Sequence, residues 1–165
     1  MNLKPDLSKT FEWNKYFANA GAFDLDAQSI KALHQEARAF LTSFVWCDSI
    51  IEDRIGFAYP GIVGVFLFKF VVTQKAREDW VWVLTGDIPP AYITGEDCPN
   101  PATALDAYIG AMQEWVEAAE RGAATDHLIP VNVEPTSENA ARLKVRLDFL
   151  DEKILSGYAE DLKAS

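Results

Sequence analysis

Positive charge is nearly missing from the middle of this chain. Between Gly86 and Glu138 ten Asp and Glu side chains face one base, Arg121. The flanks are close to neutral, with nine bases and ten acids in residues 1–85 and five of each in residues 139–165, so almost all of the net charge of −10 sits in that segment. Phosphate backbones and anionic lipid headgroups both require a clustered basic surface. The charge therefore argues against nucleic acid or a membrane surface as partner. It points instead to a protein with a basic surface, which a concentrated acidic face attracts and steers.

Cysteine and histidine are also scarce. Cys47 and Cys98 are the only cysteines, too few for a disulfide framework and too far apart for a local metal knuckle. A reducing compartment follows, and the cytoplasm is the expected location. The N-terminus has charges scattered through it and no uninterrupted apolar core, so no secretory signal is expected. The two histidines, His34 and His127, lack His-x-x-x-His spacing and have no Cys-x-x-Cys beside them, so neither a zinc site nor any other cofactor is expected. Gly-x-Ser-x-Gly and Walker-type loops are absent, which leaves serine-hydrolase and P-loop chemistry without their usual support. Repeats and low-complexity tracts are absent too.

The longest weakly charged run, Ile55 to Val72, carries only Lys69 but is interrupted by Gly56, Pro60, Gly61 and Gly64. It reads as buried strand, not as a membrane-spanning helix.

What is present is ample core material. Hydrophobic residues make up 49% of the 165 positions and aromatics 12%, enough for one domain that buries about two-thirds of its unfolded surface. Residues 1–25 read as an N-terminal arm or short helix. Ile30, Leu33, Ala37, Phe40, Leu41 and Phe44 recur at helical spacing, which predicts a helix capped by Asp26 and running to about Phe44. Residues 45–60 predict a short strand with a turn at Glu52-Asp53. Gly61–Val72 and Trp80–Leu84 predict a central hairpin, its first strand covered on both faces. Residues 86–100 form a long acidic loop rich in Pro and Gly. Asn100 and Pro101 then open a second helix that Gly122 closes. An extended piece is expected over His127–Val133, and a third helix, capped by Thr136 or Ser137, runs to about Leu155. The fold class is α+β: a small antiparallel sheet of three or more strands packed against three main helices in a single domain.

Three functional readings follow. The leading one is a non-catalytic protein-binding module, of which an immunity-type inhibitor of a basic toxin is one concrete form. Its surface would comprise Glu114, Glu117 and Glu120 on the second helix, with Asp87 and Tyr92 in the loop. Trp80 and Trp82 alternate along one strand and share a face, so they join this set if no helix covers them. The alternative is metal-assisted hydrolysis by Asp48, Glu52 and Asp53 with His34 or His127. In a helix Asp48 and Glu52 would share a face, whereas in an exposed turn beside Arg54 the cluster is merely solvated. The third reading is a structural homodimer, in which Arg142, Arg146 and Lys153, with Val145 and Phe149 nearby, meet the acidic helix of another copy. Asp48 beside Cys47, and the acidic loop Gly95–Asn100 around Cys98, should raise the two thiols and leave them inert.

Overall fold

The computed structural model describes residues 5–16, 25–74 and 77–164. Its organising element is β3 (Val63–Val72), apolar at nearly every position and buried along most of its length. Val63, Val65 and Leu67 pack into one core, while Phe66, Phe68 and Phe70 pack into a second core on the other side of the sheet. The expected central strand, covered on both faces, is therefore present.

β2 (Cys47–Tyr59) and β4 (Arg77–Gly86) flank β3. At the outside lie β1 (Phe11–Glu12), paired to β2, and β5 (Ala91–Thr94), paired to β4. The five strands run in chain order and every neighbour is antiparallel. The helix α2 (Leu25–Thr42) covers the face of Phe66, Phe68, Val81 and Val83. The opposite face is covered by α3 (Pro101–Arg121) and α4 (Ser137–Phe149), which bring Leu105, Tyr108, Met112, Trp115, Leu143 and Leu147 against Trp82 and Leu84. This is an α+β fold with helices on both faces of one antiparallel sheet.

Several expectations need correction. The turn expected at Glu52-Asp53 does not exist, because β2 runs unbroken for 13 residues. Its register with β3 slips between Cys47 and Ser49, between Ile50 and Glu52, and between Ile55 and Phe57. Each slip inserts one extra residue, a β-bulge, so the two-residue alternation that marks a strand is scrambled. The third bulge falls at Gly56, where a Cβ would collide with the Pro101 ring, so the glycine lets α3 start against the sheet.

The loop expected over 86–100 contains β5, and the arm expected over 1–25 contributes β1 and a one-turn helix, α1 (Trp13–Tyr16). Residues 1–4 and 17–24 of that arm lie outside the described residues. Asp26 sits within the first turn of α2 instead of capping it. The piece over 127–133 pairs with no strand among the described residues: Pro130 lacks the donor a ladder needs, and Leu128, Ile129 and Val131 dock their side chains on the α3/α4 core. The third helix does continue past Phe149, but through a widened turn at Leu150–Ile154 and a tight one at Leu155–Tyr158 before a short α5 (Ala159–Leu162).

The ends of α3 follow the sequence closely. The Asn100 side chain accepts from the Thr103 N–H at 2.9 Å, Thr103 reciprocates, Pro101 takes the first position, and Gly122 closes the helix in a left-handed conformation (φ 69°). Loop 86–100 is pinned by core side chains: Trp82 Nε1–H donates to the Cys98 carbonyl at 2.9 Å and Tyr108 O–H to the Pro89 carbonyl at 2.7 Å. Gly86 has φ 138° and lies so close to the Ile62 carbonyl that no side chain fits there. Among the described residues no helix is long and apolar enough to cross a membrane.

Candidate functional site

The carboxylates Asp48, Glu52 and Asp53 are placed by a strand, so the helical spacing that would have joined them does not apply. Glu52 and Asp53 are adjacent on β2 and point to opposite faces. Glu52 Oε1 accepts from Arg54 Nη1 at 3.0 Å, and Arg54 reaches on through Nε to Thr10 Oγ1 at 2.6 Å. Asp53 Oδ2 instead turns to α2, where it accepts from Arg38 Nη1 at 2.6 Å and His34 Nε2 at 3.1 Å. An ionised carboxylate can only accept, so the hydrogen lies on Nε2. Asp48, in the first bulge, is exposed.

The hydrolase reading had set Asp53 with His34, and the structure joins these two; Arg38, one helical turn from His34 on α2, was not among the candidates. His34 is buried and stacks on the Trp13 ring, with centroids 3.7 Å apart and planes 12° from parallel. The hydrogen bond from His34 holds the Asp53 carboxyl below the usual carboxylate value. The Arg38 charge and hydrogen bond reinforce this, while partial burial opposes it. His127 lies beyond α3 on the other side of the sheet; its Nδ1 is 4.0 Å from Asp126, and both side chains are largely exposed. His34 and His127 therefore do not share a site. No three His, Cys, Asp or Glu side chains among the described residues converge as a metal-binding group.

Cys47 packs in the α2-side core and Cys98 in the α3-side core, so the sheet separates them. Both are buried and free. Burial is the main force raising each thiol, with Asp48 adding to it at Cys47 and Asp97 at Cys98, which is pushed up to about 11. Neither is an activated nucleophile.

The two tryptophans of β4 share the α3 side, but only one reaches the surface. Trp82 is wholly buried, whereas Trp80 is half-buried with Lys69 Nζ 5.7 Å from its ring centroid. Tyr92 projects from β5 to the opposite face. There it meets Phe44 and Trp46 edge-on at 5.2 and 5.1 Å, and Phe44 stacks on Trp46 at 5.0 Å. This ridge divides two grooves. The larger, about 610 Å³, runs between Phe40 and Phe44 at the end of α2 and the prolines Pro89, Pro90 and Pro130. The smaller, about 290 Å³, lies over Phe70, Val72 and Val81, with Asp79 and Glu96 along it. Tyr92 was a sequence candidate; Phe40, Phe44 and Trp46 were not. The signal for them was Phe40, Phe44 and Trp46 following one another where the helix ends, read as core because Phe40 and Phe44 keep helical spacing.

The acidic candidates divide as well. Glu114, Glu117 and Glu120 are exposed on the outer side of α3, and among the described residues none has a cation within salt-bridge distance. Asp87 in contrast lies 3.3 Å from Arg146 Nε, and Arg142 lies 2.7 Å from Glu138. Val145 and Phe149 beside them are exposed, at 70% and 42%.

The fold and surface thus define an α+β domain with a closed helical face, an acidic outer helix and an aromatic ridge. Compared with protein-family models, curated proteins and solved structures, the chain finds no significant match.

Proposed function

We propose that this chain is a non-catalytic protein-binding module that recognises a basic partner through the outer face of α3. The observation supporting this is the unneutralised Glu114, Glu117 and Glu120, three carboxylates on one rigid helix without an ion pair among the described residues. Such a patch costs stability through self-repulsion and gains on-rate and selectivity toward a basic surface. An inhibitor of a basic toxin is one concrete form of this reading. Two free, buried thiols suit a reducing compartment, and we place the protein in the cytoplasm on that ground.

The hydrolase reading is less supported: Asp53 keeps His34 beside it, but Glu52 turns to Arg54 and Asp48 is exposed. Self-association through the basic stripe would have to compete with the contacts that Arg142 and Arg146 already make within the chain.

The test uses a partner isolated at low salt and then purified. Its affinity should fall at least about tenfold as salt rises from about 0.05 to about 0.3 M. Reversing Glu114, Glu117 and Glu120 to Lys should abolish binding. Affinity indifferent to both changes would overturn the reading.

A further inference from the structure

We infer that the two grooves meeting at Tyr92 form a second docking surface, one that takes an extended segment of a partner protein carrying Arg or Lys beside proline or other apolar residues. This goes beyond the acidic face, which lies on the other side of the sheet. The larger groove is lined by apolar and aromatic side chains and Asn132, with no charged group. It suits the anchor residues of an extended chain, because rigid aromatics and prolines give up little conformational freedom on contact. The smaller groove differs in one respect that selects its occupant. Trp46 and Tyr92 line it, and two carboxylates, Asp79 and Glu96, lie along the same groove with Arg77.

Asp79 is engaged by Arg77 at 3.2 Å, so the Arg77 charge is already answered. Glu96 is exposed and has no cation within salt-bridge distance among the described residues. The groove therefore presents an unanswered negative charge next to aromatic rings, in a chain of net charge −10. A guanidinium or ammonium placed there gains from both the ring quadrupoles and the carboxylate. The same charge disfavours phosphate or an anionic lipid headgroup.

One ridge serves as a wall for both grooves, so a single extended strand can seat an apolar residue on one side of Tyr92 and a cation on the other.

The experiment titrates the full chain with two fluorescein-labelled peptides, tandem repeats of Pro-Leu-Pro-Arg and of Pro-Leu-Pro-Glu, and reads anisotropy. The arginine peptide should bind at least about tenfold more tightly than its glutamate twin. Tyr92→Ala should weaken it at least about tenfold, Glu96→Lys (an exposed position that leaves the fold alone) about as much, and the triple reversal on α3 by no more than about twofold. Equal affinity for both peptides would overturn the proposal, as would indifference to both Tyr92→Ala and Glu96→Lys. Loss of binding only on the α3 reversal would remove the groove and leave the acidic-face reading standing. Binding that needs Tyr92, beside a purified partner indifferent to α3, would do the reverse. Sedimentation showing a dimer that dissociates on Tyr92→Ala would assign the groove to a second copy of the chain and end the proposal.

Discussion

The two faces of the sheet are finished differently. On the α3/α4 side two long helices close over the strands, and Trp82, Leu84, Leu105, Tyr108 and Met112 lose all contact with solvent. On the α2 side one helix of 18 residues does the covering. At about 1.5 Å per residue it spans about 27 Å along its axis, and it leaves Trp46, Phe70, Val72 and Tyr92 in an open groove near its C-terminal end. The closed side hides most of its aromatics, Trp80 and Phe149 excepted, and turns its charge outward on α3. The open side leaves aromatics at the surface and tucks its charge into the His34–Asp53–Arg38 group. The difference teaches that the aromatic grooves proposed as a second docking surface lie apart from the fully buried core, so each can be perturbed without the other.

The largest effect is expected on the closed side. Trp82→Ala removes a fully buried indole together with its hydrogen bond to Cys98, and should cost about 3–5 kcal/mol in denaturant unfolding. A loss under about 1 kcal/mol would mean that this face is not the stability centre.

An intermediate effect is expected where α2 meets β2. Asp53→Asn removes the charge that holds His34 and Arg38. It should cost about 1–2 kcal/mol at neutral pH, since Arg38 is half solvated and its share is screened. The pH dependence has a definite sign. Asp53 titrates below its ordinary value of 3.8 in the folded protein, so its contribution is complete above that value. It is lost as pH falls further through the lowered native value. The stability gap between wild type and Asp53→Asn should be flat at neutral pH and shrink below about 3.8. A gap that widens on acidification would contradict the assignment.

The smallest stability effect is expected on the ridge. Tyr92 is 38% exposed and touches Phe44 and Trp46 by ring edges, so Tyr92→Ala should cost about 1 kcal/mol or less in the same assay. A cost rivalling Trp82→Ala would erase the distinction between the faces.

How far the sequence showed this depends on distance along the chain. The α3 helix was legible from end to end because Asn100, Pro101 and Gly122 mark its limits locally. The burial of β3 was legible because both sets of alternating residues are apolar. The full length of β2 was not, because bulges at Asp48, Ile51 and Gly56 break its alternation. The short β5 was hidden between Pro90 and Gly95, where four residues carry too little pattern to stand out. The hold of Arg38 on Asp53, missed beside the expected His34, bridges 15 positions across a helix–sheet interface. The ridge needs residues from the end of α2, from β5 and from the start of β2, brought together only by packing. The acidic stretch was visible at once, but its division into paired Asp87 and Glu138 and, among the described residues, unpaired Glu114, Glu117 and Glu120 required the fold.

The five tryptophans offer the most direct test, since they sample both faces. Their indole N–H signals can be followed by two-dimensional NMR while the full chain is titrated with the arginine peptide. The account predicts that the Trp46 signal moves while those of Trp82 and Trp115 stay fixed. A still Trp46, or Trp82 and Trp115 moving with it, would contradict the proposal that the aromatic ridge takes this segment while the core of the closed face stays undisturbed.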